Sequence, residues 1–240
     1  MDEARRVALV TGGARRVGRA IVERLAHDGW DVAFTFRSSQ KQALQLQADL
    51  MSTGVRVLPL NADFDRLEQS IAMVQQRFIK WSPRLDLLVN NASAYAADEK
   101  LSPDAAMRAN YIAALRLVEA FTAELKAANG SVINMLDVMA ERPMPSYSNY
   151  SASKAALWNA TLSLARSLAP EVRVNGIAPG VVEWNEQQEE SYREAYVKKV
   201  PLKRIGSPGE VATLVKFLAT DATFITGQVI RMDGGRSIAT

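Results

Sequence analysis

A phenol and an ammonium group stand four residues apart in the segment Tyr150–Lys154, which reads YSASK. On a helix, residues at this spacing share one face, so Tyr150 and Lys154 are expected side by side. A neighbouring Lys⁺ favours the phenolate. This predicts a pKa of Tyr150 below its usual value of about 10, and a phenol able to donate a proton near neutral pH. An ordinary helix-surface pair has the same spacing, so its position in the fold must decide.

A glycine-containing turn, Thr11–Gly18, lies between a short apolar run and an amphipathic stretch. Glycine lets the backbone approach a pyrophosphate, and a helix N-terminus offers it free N–H groups, although a tight structural turn has the same composition. The next apolar run ends without the acidic residue that would accept from a ribose 2′-OH. Arg37, Ser38, Arg15 and Arg16 instead suit a 2′-phosphate, which favours NADP over NAD. Each arginine taken alone is equally compatible with a helix cap or a solvent-exposed position.

Short β-branched runs alternate with longer amphipathic stretches throughout the chain. This rhythm predicts an α/β fold of the Rossmann type, a doubly wound seven-stranded parallel sheet with helices on both faces. The predicted strands are Arg6–Thr11, Asp31–Phe36, Arg56–Asn61, Leu85–Asn90, Ser131–Leu136, Arg173–Ile177 and Gln228–Met232. The predicted helices are Val17–Asp28, Gln40–Thr53, Arg66–Trp81, Pro103–Ala128, Tyr147–Leu168 and Pro208–Ala219. No repeat or Pro/Gly-rich linker interrupts the pattern, so residues 1–240 are predicted to form one domain.

One segment, Val181–Val200, departs from this rhythm because it is polar throughout. Its acidic residues are Glu183, Glu186, Glu189, Glu190 and Glu194. A solvated surface helix is one interpretation. The other is a mobile substrate loop, or lid, after the sixth strand, at the carboxyl edge where open α/β sheets bind ligands. Its position favours the lid.

The composition excludes several kinds of site. The chain has no cysteine and one histidine, His27, which is predicted to lie on the surface near a helix C-terminus. Disulfides, thiolate chemistry and a Cys- or His-based metal site are therefore not expected. No run of about 20 apolar residues indicates a membrane span, and a net charge of +3 without a dense basic run disfavours nucleic-acid binding. A cytoplasmic protein that binds small anionic ligands is expected.

Taken together, these features resemble the short-chain dehydrogenase/reductase family over essentially the whole chain. The matching positions are the glycine turn, Asp63, Asn90-Asn91-Ala92, Asn110, Tyr150 with Lys154, Pro179-Gly180 and Asp233-Gly234-Gly235. The resemblance implies nicotinamide hydride transfer in which Tyr150 is the acid, Lys154 binds the ribose and tunes Tyr150, and Asn110 supports a relay water. The residues expected to bind the cofactor are Gly12, Arg15, Arg16, Val17, Gly18, Arg37, Ser38, Asp63, Asn90, Ala92, Lys154, Pro179 and Gly180.

Three departures from the general family pattern resemble the pteridine reductases and dihydromonapterin reductases. Arg16 replaces the middle glycine of the turn, Ser93 replaces the glycine after Asn-Asn-Ala, and Asp137 replaces the serine expected after the fifth strand. The subgroup implies that Arg16 approaches both cofactor and pterin and that Ser93 contacts the bound ligands. It also implies that Tyr95 stacks the pterin against the nicotinamide, although Tyr95 is equally compatible with loop packing.

The residue type of Asp137 itself indicates the kind of substrate. A carboxylate repels the negatively charged alkoxide that develops in ketone reduction. It can, however, accept from ring amines or, if burial raises its pKa, pass a proton to a ring nitrogen beside Tyr150. A structural N-cap or turn role for Asp137 is the alternative. Tyr147, which lacks a lysine four positions on, is interpreted as a packing or substrate-pocket residue. The expected substrate contacts are Arg16, Ser93, Tyr95, Asp137 and Tyr150.

The leading hypothesis is therefore an NADPH-dependent reductase acting on a C=N bond of a pteridine, with dihydromonapterin, dihydrobiopterin or dihydrofolate as candidate substrates. A carbonyl or 3-oxoacyl/enoyl-thioester reductase of the same fold is the second hypothesis, and a non-catalytic NADPH-binding regulator is the third. The resemblance also implies a homotetramer built on two long helices and the C-terminal strand.

Overall fold

A computed structural model describes residues 5–185 and 188–239. These residues form a seven-stranded sheet in which every pairing is parallel. The strands are β1 (Val7–Val10), β2 (Asp31–Phe36), β3 (Val57–Asn61), β4 (Leu87–Asn90), β5 (Ser131–Met135), β6 (Arg173–Pro179) and β7 (Val229–Met232). Their order across the sheet is β3-β2-β1-β4-β5-β6-β7. The order reverses direction between β1 and β4, which is where an open α/β sheet leaves a crevice for ligands at its carboxyl edge.

Helices cover both faces of this sheet, as predicted. They are α1 (Arg16–His27), α2 (Gln40–Leu50), α3 (Leu67–Trp81), α4 (Pro103–Met107), α5 (Ala113–Ala120), α6 (Thr122–Ala127), α7 (Ser148–Ser167), α8 (Glu190–Lys198) and α9 (Pro208–Thr220). In the described part of the chain, none of them is long and apolar enough to cross a bilayer.

Two large apolar clusters form the core, one on each face of the sheet. Alternate residues of a strand point to opposite faces, so Val10 packs with Ile21 of α1 and Val215 of α9. Its neighbour Leu9 packs on the other face with Phe78 of α3. A sheet buried on both faces explains why its strands read as continuous apolar runs rather than alternating ones.

The predicted helix Pro103–Ala128 is wrong as a continuous element. It is interrupted by a π-helical turn, Arg108–Ile112, and again at Phe121, whose backbone (φ −110°, ψ 11°) leaves the helical region. The π turn carries Asn110, whose side chain makes tertiary contacts at the site described below. Such turns often occur at functional positions, and hydrophobic periodicity does not reveal them.

The other predicted elements agree with the structure to within a few residues at their ends. Within residues 181–200, the described part after residue 187 includes α8, which buries no side chain. Glu186, one of the acidic residues in that segment, lies outside the described residues. His27 is exposed at the end of α1, where Nδ1 lies 2.7 Å from the carbonyl oxygen of Glu23.

Candidate active site

The helix α7 begins just before Tyr150 and buries both Tyr150 and Lys154 against the carboxyl edge of the sheet. The Tyr150 hydroxyl donates to Oδ2 of Asp137 at 2.9 Å. Lys154 is 2% exposed, and its Nζ donates to the carbonyl oxygen of Met135 at 2.8 Å. Nζ also lies 5.8 Å from the centre of the Tyr150 ring. The predicted pairing on one helix face is therefore present, and the carboxylate of Asp137, two residues after the end of β5, joins it.

Asp137 follows β5 and uses its two carboxylate oxygens differently. Oδ1 accepts from the backbone N–H of Met139 at 2.8 Å, which caps the short 3₁₀ helix Val138–Ala140. Oδ2 accepts from Tyr150. The cap and the functional pairing were alternatives on sequence grounds, and the side chain makes both contacts. The cap holds the carboxylate in place for the pairing.

Burial dominates the titration of this group, and the predicted direction for Tyr150 is wrong. Desolvation, followed by the charge of Asp137 and the hydrogen bond to it, raises the pKa of Tyr150 well above its usual value. Desolvation likewise raises the pKa of Asp137, against hydrogen bonds from Met139 and Tyr150. It lowers the pKa of Lys154 to about 8. The sequence shows which charges are neighbours but not how completely they are removed from water, which is the larger effect here.

Asn110 is 2% exposed and ties the loop after β4 to α7. Its Oδ1 accepts from the Ser93 hydroxyl at 3.1 Å and from the Ala94 N–H at 2.7 Å. Its Nδ2 donates to the Ala94 carbonyl at 3.0 Å and to Oγ of Ser153 at 2.9 Å. These contacts use the whole side-chain amide. Support of a relay water by Asn110 stays a prediction, and another group of the residue would have to provide it.

Tyr95 borders the same site and is 56% exposed. Its ring stacks on Tyr147 with centroids 5.2 Å apart and an interplanar angle of 18°, and meets Tyr150 edge-on at 4.9 Å. The interpretation of Tyr147 as a packing or pocket residue agrees with this contact. The three rings form a flat-sided aromatic wall next to Asp137.

The glycine turn is packed closely against the backbone around it, which leaves no room for side chains at Gly12 and Gly18. Gly12 has a φ of +65°, and a Cβ added there would meet the Ala92 backbone at 3.1 Å. A Cβ on Gly18 would lie 2.1 Å from the carbonyl oxygen of Gly12. Oδ1 of Asn90 is buried without a hydrogen-bond partner among the described residues. A bare backbone at a helix N-terminus and an unsatisfied acceptor fit a dinucleotide lying across the carboxyl ends of β1 and β4.

The basic residues expected at the cofactor's 2′-phosphate differ in what they contact. Arg37 and Ser38 follow β2 and are exposed, and Arg37 lies 3.5 Å from Asp65. Arg15 is exposed at the N-cap of α1. Arg16 has a φ of +53°, and its Nε donates to Oε2 of Glu183 at 2.6 Å. The left-handed backbone of Arg16 costs about 1–2 kcal/mol relative to a glycine there.

The remaining expected cofactor residues lie along the same sheet edge. Asp63 follows β3 and accepts from the N–H of Asp65 at 3.2 Å. Val17 packs against the core from the first turn of α1. Pro179 ends β6, and a Cβ on Gly180 would meet the Tyr196 hydroxyl at 3.0 Å. Their roles in binding stay predictions.

The structure adds one residue, Asp98, and two further contacts that the sequence does not predict. Oγ1 of Thr11 accepts from the N–H groups of Asn91 and Ala92, both at 2.9 Å, and so fixes the backbone after β4. Glu183 binds Arg16 across 167 positions of sequence. Asp98 accepts three hydrogen bonds from the start of α7. None has a local signal, because each depends on a long-range contact.

Comparisons with known proteins agree with this architecture. Residues 12–237 match the family described as enoyl-(acyl carrier protein) reductase. A pteridine reductase 1 from Leishmania tarentolae is 32% identical over 97% of this chain and 96% of its own length. A 3-oxoacyl-(acyl-carrier-protein) reductase from Staphylococcus aureus is 30% identical over 95% and 96%. The crystal structure of an acetoin dehydrogenase from Enterobacter cloacae superposes with a TM-score of 0.90 at 27% identity, covering 100% of this chain and 98% of the other. The chain belongs to the short-chain dehydrogenase/reductase family, whose members are nicotinamide-dependent oxidoreductases.

Proposed function

We propose that this protein is an NADPH-dependent reductase of a pteridine C=N bond. The observation that carries the proposal is the partly buried hydrogen bond between Tyr150 and Asp137, 2.9 Å long, at the carboxyl edge of the sheet. Reduction of a C=N bond requires a hydride at carbon and a proton at nitrogen. The dinucleotide supplies the hydride when it is bound, and the residues of this chain must supply the proton.

Burial favours the neutral forms of Asp137 and Tyr150, since it raises the pKa of each group. A phenol with a high pKa keeps its proton until the acceptor becomes strongly basic, as a ring nitrogen does when hydride adds to the adjacent carbon. In the structure the Tyr150 hydroxyl donates to Asp137, so it must turn toward the substrate nitrogen to transfer its proton. A protonated Asp137 can then donate in the opposite direction, to the phenolic oxygen, and replace that proton. Lys154, fixed by Met135, is placed to hold the ribose and to keep a positive charge near the phenol.

The same carboxyl suits a nitrogen heterocycle in both of its protonation states. The neutral form can replace the proton lost by Tyr150, and the ionised form accepts well from the ring and exocyclic N–H groups of a pteridine. An alkoxide develops at oxygen during ketone reduction, and Asp137 repels it whenever the carboxyl is ionised. We therefore expect Asp137 to favour a nitrogen heterocycle over a ketone.

The aromatic wall favours a planar ring. Tyr95 is half exposed beside Tyr150, so its ring offers apolar surface to a flat ligand. Stacking of this kind adds about 0.5–1.5 kcal/mol to the free energy of burial. Because Tyr95 already stacks on Tyr147, a pteridine must use its free surface or displace that partner.

NADPH is proposed over NADH because of the end of β2. Arg37 and Ser38 stand where an acidic residue would accept from a 2′-OH, and Arg15 lies exposed at the neighbouring turn. Arginine binds phosphate oxygens in a bidentate manner.

A second candidate is reduction of a 3-oxoacyl or enoyl thioester. It is favoured by the description of the matching family and by the relative from Staphylococcus aureus. Asp137 argues against reduction of a 3-oxoacyl group, because an ionised carboxylate would repel the alkoxide that develops at the oxygen.

The test is to follow NADPH and, separately, NADH oxidation by the purified protein with a panel of substrates. The panel contains dihydropterins, dihydrofolate, simple ketones, and acetoacetyl and enoyl thioesters. We expect turnover of a dihydropterin or dihydrofolate with NADPH preferred. Turnover of thioesters or ketones alone would reject the pteridine proposal and favour the second candidate, and a preference for NADH would contradict the cofactor assignment.

A further inference from the structure

The N-terminus of α7 is capped by a carboxylate from a different part of the chain. Oδ2 of Asp98 accepts from the N–H and the hydroxyl of Ser148, at 3.0 and 2.8 Å. Oδ1 accepts from the N–H of Asn149 at 2.9 Å. Tyr147, the residue at the N-cap position itself, makes no side-chain cap. Asp98 thus satisfies two of the backbone donors that every helix leaves free at its start.

Asp98 belongs to the loop that follows β4, and further bonds hold that loop to the start of α7. The N–H of Asp98 donates to the carbonyl of Ser146 at 2.8 Å, and Nδ2 of Asn149 donates to the carbonyl of Leu101 at 2.9 Å. The same loop carries Tyr95, three residues before Asp98. The cap therefore joins the aromatic wall to the helix that carries Tyr150.

The charge of Asp98 suits this place. A carboxylate at a helix N-terminus interacts favourably with the helix dipole. The hydrogen bonds from the Asn149 backbone and from Ser148 lower the pKa of Asp98, which keeps it ionised at neutral pH.

We propose that Asp98 is a positioning residue for catalysis, fixing Tyr150 at the start of α7 relative to Asp137 and to the Tyr95 loop. Tyr150 directly follows Ser148 and Asn149, whose N–H groups are capped, so fraying of the first turn moves the phenol directly. A displacement of about 1 Å at a reacting group can lower a rate by about 100-fold. The inference rests on the proposed role of Tyr150 as proton donor, but not on the identity of the substrate.

The experiment compares wild type with Asp98→Ala, Asp98→Asn and Glu99→Ala. Asn has the same shape as Asp but one acceptor oxygen in place of two, so it can keep the bonds to either Ser148 or Asn149 and serves as a partial rescue. Glu99 is an exposed neighbour whose side chain makes no hydrogen bond or ion pair with the described residues. Hydrogen exchange of the Ser148 and Asn149 amides is measured together with kcat, substrate KM and the Kd of NADPH, with rates expressed per NADPH-binding site.

In Asp98→Ala we expect exchange at these two amides to be faster by about 2- to 30-fold, the range that loss of a cap implies. We expect kcat to fall about tenfold or more, and the NADPH Kd to stay within about twofold. Asp98→Asn should give a kcat between those of Asp98→Ala and wild type, and Glu99→Ala should match wild type.

Unchanged exchange in Asp98→Ala would overturn the cap. Faster exchange with an unchanged kcat per NADPH-binding site would overturn the positioning role and leave a purely structural one. Failure of the proposed function is separate, because it appears in the wild type as an absence of pteridine turnover. The kinetics would then be measured with whichever substrate the wild type reduces.

Discussion

At the scale of single residues, the site places three titratable groups where water is scarce. Asp137 and Tyr150 share a hydrogen bond, and Lys154 is held nearby by a backbone carbonyl. Desolvation acts on all three in the direction of the neutral form. Burying these groups lowers the free energy of unfolding, because water solvates their ionised forms better in the unfolded chain than the protein does in the folded state.

Asp137→Asn is expected to stabilise the protein increasingly as pH rises. The folded pKa of Asp137 is raised, so the folded state binds more protons than the unfolded state above the unfolded pKa of about 3.9, and stability falls as pH increases through that range. Asn does not ionise, and its amide can still bond both Met139 and Tyr150. The melting temperature of the variant minus that of wild type should therefore be more positive at pH 8 than at pH 4.

Glu99→Gln is the control. Because this side chain is exposed, the melting temperature of the variant minus that of wild type should hardly change with pH. If the melting-temperature difference between Asp137→Asn and wild type stays constant, or becomes more negative as pH rises, burial does not raise the pKa of Asp137.

At the scale of elements, the contact between Arg16 and Glu183 joins the start of α1 to the segment after β6. Nε of Arg16 donates to the carboxylate at 2.6 Å, and Nη2 donates to the Glu183 carbonyl at 3.3 Å. Exposed ion pairs contribute about 0.2–1 kcal/mol, so this pair is weak enough for a bound phosphate or pterin to compete for the arginine. The pair therefore fits a lid that is held loosely before ligands bind.

Glu183→Gln is expected to make the segment 181–200 more sensitive to trypsin in the absence of ligand, by up to about fivefold, because one end of it loses its anchor. Cleavage after Arg193, Lys198 and Lys199, followed by mass spectrometry, measures this. NADPH plus a dihydropterin should slow cleavage in both wild type and variant. Glu194→Gln removes a charge from the same segment without removing a contact among the described residues, and should behave as wild type.

Equal sensitivity with and without NADPH plus ligand would reject the lid. An unchanged rate of cleavage in ligand-free Glu183→Gln would show that Arg16 does not hold the segment.

At the scale of the whole molecule, the sequence was sufficient to predict the sheet, the helices on both faces and the edge at which the site lies. Periodicity and turn residues are local signals, and they locate Tyr150 and Lys154 on one helix and Asp137 after a strand. The homotetramer implied by the family resemblance stays a prediction.

Other features depend on contacts between distant residues, which no local pattern records. Asn110, in the π turn, donates hydrogen bonds to Ala94 in the loop after β4 and to Ser153 in α7. The cap joins Asp98 to Ser148, which is 50 residues further along the chain. The pKa of Tyr150 was mispredicted for the same reason: the lysine four residues away is visible in the sequence, whereas burial is a property of the packed molecule.

Asp137 is the residue that, by our proposal, makes this short-chain reductase act on pteridines, and the variant Asp137→Ser tests its role. The measurement is kcat/KM with NADPH for a dihydropterin and for an acetoacetyl thioester, in wild type and variant. We expect the dihydropterin value to fall by about 100-fold or more, the usual contribution of a positioned acid, while the thioester value stays the same or rises. Dihydropterin turnover unaffected by Asp137→Ser would contradict the account.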